Sequence, residues 1–166
     1  MGKLLVWVLC CVSLIGNAQE DTIRVMHYNL LNYGNYTSYC TSLNNNIDNK
    51  DDYLTTILDY VKPDVFTVNE LGIDFVGLEN QYAMRILDST LNINGVTKYK
   101  KAEYTGNGYT VNMIYYNSEK LVFHKQETIA NGLSSGTLVR SVDFYTLYHK
   151  DPNLAFHNDT VFITFV

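Results

Sequence analysis

A glutamate and an asparagine, each closing an apolar strand, are the residues of this chain best placed to do chemistry. Asn29 ends the segment DTIRVMHYN (21–29) and Glu70 ends DVFTVNE (64–70). A carboxylate and a carboxamide both offer hard oxygen donors, the kind that Mg2+ or Ca2+ takes. If the two strands are parallel neighbours, both ends share one rim of a sheet, where open α/β sheets bind ligands. Asn32 stands three residues further on, inside HYNLLNYGNYTSYC (27–40), a stretch crowded with carboxamides and phenols. Spacing alone favours a plainer reading, in which Asn29 and Asn32 satisfy turn backbone and Glu70 is an exposed strand end.

The elements that would position these residues follow from periodicity. In 21–29, Ile23, Val25 and His27 alternate with Met26 and Tyr28, the pattern of a strand. A long polar loop over 32–52 follows. Leu54, Ile57, Leu58 and Val61 then fall at helical spacing, which predicts a helix from Asp52 to Val61, capped by Asp51 or Asp52 and stopped by Pro63. The run 64–70 is short, apolar and β-branched, as a buried strand requires. This strand, helix, strand unit implies a right-handed crossover if both strands share a sheet. A second helix is predicted from Leu78 to Leu91, with Ala83, Ile86, Leu87 and Leu91 on one face and Asn94-Gly95 at its end. Further strands are expected at 98–105, 110–117, 121–130, 137–149 and 160–166, separated by turn-rich segments. The fold class is α/β, a layered α/β sandwich with a mixed sheet, in one domain over 19–166.

Composition bounds the setting. MGKLLVWVLCCVSLIGNA (1–18) joins a lysine, an apolar run and a small-residue close, the plan of a secretory signal peptide cleaved after Ala18. Its apolar run is too short to span a bilayer, which needs about 20 residues, so no stable membrane insertion is expected after cleavage. Cys10 and Cys11 leave with it, and Cys40 remains as a single thiol with no internal disulfide partner. The formal net charge of −5 argues against broad adhesion to nucleic acid, though not against a local site where a divalent cation supplies positive charge.

Read together and in order, IRVMHYNLLNYG, KPDVFTVNEL, GYTVNMIYYNSEKL and TVFITFV resemble the endonuclease/exonuclease/phosphatase superfamily, the metal-dependent fold of pancreatic-type deoxyribonuclease. The likeness is to exported bacterial members. It implies that Glu70 binds the catalytic ion, Mg2+ or else Ca2+ or Mn2+, which bridges the scissile phosphate. It implies that Asn29 helps hold this ion and orients a phosphate oxygen, and that Asn32, Tyr33 and Gly34 support the site. Tyr109 matches a tyrosine placed on phosphate or sugar, against the alternative of an aromatic filling a strand face. Arg140 matches an arginine aimed at the phosphate, against the alternative of a solvated strand arginine.

Departures from that pattern are as informative. His27 replaces a small hydroxyl or aromatic residue and reads as a core or supporting histidine, not a base. His124, His149 and His157 have no acidic partner at motif spacing. The later motifs that the resemblance implies, an asparagine-x-histidine, an aspartate-x-asparagine and an aspartate-histidine pair, are absent. The expectation is an N-terminal portion, about half of a four-layer fold, broken off within the strand TVFITFV and catalytically inactive as it stands. The function implied is a metal-dependent phosphoesterase, foremost an exported nuclease with nucleic acid as its phosphodiester substrate. An exported non-catalytic module, binding glycan or protein through Tyr- and Asn-rich loops, is the competing reading. Sequence alone leaves open the metal, the oligomeric state and the choice among DNA, RNA, lipid and small phosphoesters.

Overall fold

The computed structural model describes residues 22–76, 79–105, 108–131, 137–151 and 160–166. The leader over 1–18 and His157 lie outside these residues. The chain runs β1 (Val25–Tyr33), α1 (Ile47–Val61), β2 (Val65–Gly72), β3 (Phe75–Val76), β4 (Glu79–Asn80) and α2 (Gln81–Ile86), which passes into a π-helical turn (Leu87–Leu91). It continues through β5 (Tyr99–Lys101), β6 (Thr110–Asn117), β7 (Leu121–Asn131), β8 (Thr137–His149) and β9 (Phe162–Phe165). One sheet has the order β1-β2-β6-β5, a second the order β7-β8-β9, and β3 and β4 form a short ribbon. β1 pairs parallel to β2, and β6 runs antiparallel to both β2 and β5, so the first sheet is mixed.

Alternation along the strands sorts the core into two layers. Phe66 and Tyr115 stack at 5.8 Å on one face, and the Tyr115 hydroxyl donates to the Ala83 carbonyl of α2. That face lies under the helices. Tyr116, on the other face, stacks on Phe123 of β7 at 5.9 Å, while Asn112 donates to Asp143 of β8. The first sheet is therefore covered by helices on one side and by the second sheet on the other. Val65, Phe66, Leu71, Met113 and Ile114 are fully buried between them, as residues of a strand covered on both faces should be.

The helix boundaries differ from those expected. α1 begins at Ile47 rather than Asp52, because Asn46 caps it: its side chain accepts from the backbone N–H groups of Asp48 and Asn49. Asp51 is not a cap but a buried residue inside the helix. The predicted end holds, with Lys62 in the left-handed conformation before Pro63. The helix expected over Leu78–Leu91 starts at Gln81, capped by the wholly buried Asn80, and widens at Leu87. There the Thr90 hydroxyl donates to the Ile86 carbonyl at 2.6 Å, a local bond that competes with the regular helix ladder. The strand expected over 98–105 is shortened to Tyr99–Lys101, and that over 160–166 to Phe162–Phe165.

One buried carboxylate ties the start of the domain together. Asp64, 7% exposed, accepts from the backbone N–H of Arg24 at 3.1 Å, from Asn117 Nδ2 at 3.2 Å and from Lys120 Nζ at 3.1 Å. It thus joins the entry to β1, the end of β6 and the turn into β7. Burial works to raise its pKa, but the hydrogen bonds from Arg24, Lys120 and Asn117 prevail and hold it below the ordinary value of 3.8. A carboxylate depressed on folding stabilises the native state in full above its unfolded pKa and loses that contribution as pH falls through the folded one. Asp64→Asn is expected to cost about 1–3 kcal/mol at neutral pH. Urea titrations should show a smaller loss of stability for the variant than for the wild type between pH 5 and about pH 2.

Candidate functional site

The candidate site forms where β1 and β2 leave regular pairing together. Asn29 and Asn69 are the last partners in continuous register, and the register shifts before Tyr33 meets Leu71. Beyond that point Leu31, Asn32 and Glu70 all have positive φ, at 48°, 54° and 57°. Each such residue costs on the order of 1–2 kcal/mol against ordinary backbone, so the rim must be held by its surroundings.

Those surroundings are specific. Lys50 on α1 donates to the carbonyls of Leu30 at 2.6 Å and Leu31 at 2.9 Å, groups that the left-handed turn removes from the sheet ladder. Asn45, 2% exposed, donates to the carbonyls of Asn32 at 3.1 Å and Asn35 at 3.3 Å. The fully buried Tyr33 donates its hydroxyl to Asp51, whose other oxygen accepts from Arg85 Nε at 2.6 Å, and Arg85 also binds Asp48. Burial first, and then the bond to Asp51, push the Tyr33 phenol far above its usual value, so it remains a neutral donor. Gly34, φ 81°, lies against the Tyr82 ring, which a Cβ would meet at 2.4 Å. Only glycine allows the chain to leave the rim this way.

The electrostatics centre on Glu70. Its side chain is 20% exposed, and Arg140 Nη1 from β8 stands 3.4 Å from its Oε1. Lys50 is half-buried, and that burial lowers its pKa, while Cys40 and Glu70 act in the opposite direction. Beside Glu70 a cleft of about 260 Å3 opens between the sheets, lined by His27, Thr67, Asn69, Asn112, Ser141 and Asp143 among others. Asp143, 3% exposed, is saturated by Asn112 Nδ2 at 3.0 Å, Thr105 Oγ1 at 2.8 Å and Thr128 Oγ1 at 2.7 Å. Its work is to join the sheets.

The structure brings Asn29, Glu70 and Arg140 to one rim, with Asn32 on the turn beyond. Asn29 Oδ1 accepts from the Leu31 N–H at 2.8 Å, so it does satisfy the turn backbone. Its second lone pair remains, and turn capping is compatible with a further ligand. Asn32 uses its amide on Cys40 Sγ at 3.7 Å. Tyr109 is not in a strand face at all; it precedes β6 and is 88% exposed. His27 is not a core residue: β1 is a sheet edge, leaving the imidazole exposed with Nδ1 2.9 Å from Thr67 Oγ1. Cys40, within the polar loop expected over 32–52, is a free thiol but buried, and Asn32 Nδ2 lies against its sulfur. Lys50, Asn69 and Arg85 carry no motif and escaped the reading by sequence; they are named only by what the fold sets beside the rim.

The donor set can be tested against a divalent cation. Among the described residues no group of three His, Cys, Asp or Glu side chains forms a metal cage. Glu70 with Asn29 instead offers one carboxylate and one carboxamide. Asn69 Oδ1 is buried without a hydrogen-bond partner among the described residues. A sparse, all-oxygen set suits a hard divalent cation that keeps several waters and uses one or two carboxylates with substrate phosphates.

No protein-family model matches the sequence, and no curated protein matches it. Solved structures do match. The chain is similar to the endonuclease/exonuclease/phosphatase family protein from Bacteroides thetaiotaomicron, with a TM-score of 0.52 and 13% identity, over 86% of this chain and 47% of that one. Human Nocturnin catalytic domain with bound sulfate anion aligns at a TM-score of 0.49 and 12% identity, over 86% and 48%. D. rerio TDP2 complexed with single strand DNA product aligns at 0.47 and 12%, over 86% and 44%. The chain spans about half the length of these solved chains. A mixed sheet under helices, backed by a second sheet, is the fold this chain shares with the part of the Bacteroides protein that it covers.

Proposed function

We propose that this chain forms one wall of the active site of an exported, divalent-metal-dependent phosphodiesterase that cleaves nucleic acid. The observation that carries the proposal is that Asn29 ends the regular pairing of β1 opposite Asn69, the residue before Glu70, and that Arg140 pairs with Glu70 at that strand-end rim. The fold supports it, since the Bacteroides protein of like architecture is named for that chemistry.

Each residue has a part that its own geometry suits. Glu70 and Asn29 would hold Mg2+, which when bound offsets the charge on phosphoryl oxygens. Arg140 carries a fixed guanidinium fork that can leave Glu70 for two oxygens of a phosphate. Lys50 and Asn45 keep the strained rim in place, so the donors need little rearrangement on binding. His27 bonds Thr67 rather than a carboxylate, and so is assigned no proton-transfer role. General base catalysis supplies on the order of 10²- to 10⁴-fold. With no residue among those described assigned to provide it, the 166-residue polypeptide is proposed to bind without turning over.

Four outcomes are expected. Titration calorimetry should record Mg2+ binding that weakens about tenfold or more in Glu70→Gln; equal affinity in both proteins would remove Glu70 from the site. Because Arg140 and a cation compete for one carboxylate, Arg140→Ala should raise Mg2+ affinity by up to about fivefold and lower that of inorganic phosphate for the loaded protein. Purified chain should not hydrolyse bis(p-nitrophenyl) phosphate in Mg2+; turnover lost in Glu70→Ala would contradict the inactivity while supporting the site. Mass spectrometry of exported material should find Gln19 at the N-terminus.

A further inference from the structure

Past the rim, the same two strands lead into a separate cleft of about 510 Å3, lined by Asn32, Asn35, Tyr36, Thr37, Ile73 and Tyr109 among others. The size is that of a small-ligand pocket. Two aromatic side chains stand open at it: Tyr36 is 54% exposed and Tyr109 is 88% exposed. They come from distant parts of the chain, yet one clamp joins them. Asn35 Nδ2 donates to the Tyr109 carbonyl, and Asn45, itself buried, holds the carbonyls of Asn32 and Asn35. The backbone that carries both phenols is thus fixed before any ligand arrives, which reduces the ordering cost of binding.

Position relative to Glu70 gives the cleft its meaning. Ile73 follows Glu70 by three residues, just past the end of β2, and the chain itself keeps the two within about 10 Å of each other. A ligand whose charged group sits at Glu70 and Arg140 would extend its next unit into this cleft. Asn35 uses its amide N–H on the Tyr109 carbonyl and packs its own carbonyl against Gly72, while Asn32 uses its N–H on Cys40 and keeps a side-chain carbonyl as an acceptor for a base N–H. Flat aromatic faces with a carboxamide acceptor beside a phosphate position suit a nucleobase. A base inside a duplex has both faces already stacked, so only an unpaired one could use the tyrosines.

We infer that the Tyr36–Tyr109 cleft is a subsite for an unpaired nucleobase, making single-stranded polynucleotide the substrate class of the phosphodiesterase site. The inference rests on the phosphodiesterase reading above. An uncharged glycan, the other ligand that tyrosines and carboxamides favour, would leave Arg140 and the rim unused.

Fluorescence anisotropy with the full chain in Mg2+ tests it, using a labelled oligothymidylate, an oligouridylate and an abasic backbone of equal length, with maltoheptaose as competitor. Base-bearing strands are expected to bind roughly 5- to 100-fold more tightly than the abasic one. Tyr36→Ala should remove much of that advantage without changing abasic binding, and Tyr109→Ala should also remove much of it, while Tyr109→Phe keeps it. Circular dichroism should be unchanged, since both side chains are exposed. Preference for the thymidylate or the uridylate strand would support the subsite either way and name the polynucleotide. Equal binding of base-bearing and abasic strands, both weakened in Glu70→Gln, would overturn the subsite and leave the phosphodiesterase reading intact. No binding of any strand would overturn both, and displacement by maltoheptaose would overturn the subsite in favour of a sugar.

Discussion

The parallel pairing of β1 with β2 is the constraint on which the rest of this structure depends. Two parallel strands end on the same side of a sheet, so whatever follows Asn29 and whatever follows Asn69 must share one rim. Both strands then abandon extended geometry at nearly the same level, through Leu31 and Asn32 on one and Glu70 on the other. A side chain on a regular strand would be confined to one face or the other. The left-handed residues turn the backbone at the rim instead, beside the mouth of the cleft between the sheets.

Such a rim is not stable by itself. Three left-handed residues together cost several kcal/mol on the order of 1–2 each, and the freed carbonyls of Leu30 and Leu31 need donors. The helical layer supplies what is missing. Lys50 and Asp51 are neighbours in α1; the first serves the carbonyls of β1, and the second receives Tyr33 and Arg85. The same helix that covers the hydrophobic face therefore also sets the polar rim. Tyr33 is wholly buried and Gly34 has no room for a Cβ, so the exit from β1 is as constrained as its entry, where Asp64 binds Arg24.

Function, in the reading proposed here, follows from this division of labour. The strands carry the charged and carboxamide donors, the helix keeps them from relaxing, and β8 contributes Arg140 from the second sheet. The acidic balance of the whole chain is then no obstacle to an anionic ligand, because recognition is confined to a few groups rather than to a basic surface. The exposed tyrosines beside the rim add contact area that needs no charge.

The sequence by itself determined the order and type of the main elements. The apolar period of Leu54 and Leu58 and the short β-branched run Val65-Phe66-Thr67-Val68 are local signals, and hydrophobic burial acts on them wherever they are placed. It also marked Asn29 and Glu70, whose donor chemistry is legible without coordinates. Local signals misplaced the start of α1, because Asn46 competes with Asp51 for the cap and only the pull of Tyr33 and Arg85 on Asp51 decides between them. They also allowed His27 to be read as a core residue when it is exposed, since the fate of a strand residue depends on whether its strand lies at an edge, which is a property of the whole sheet. Lys50, Asn45, Asn69 and Arg140 acquire their positions only through contacts between residues far apart in the chain. Tertiary structure alone decided that Glu70 faces Arg140 and that Tyr36 and Tyr109 share a cleft, because neither closeness is encoded at any fixed spacing along the sequence.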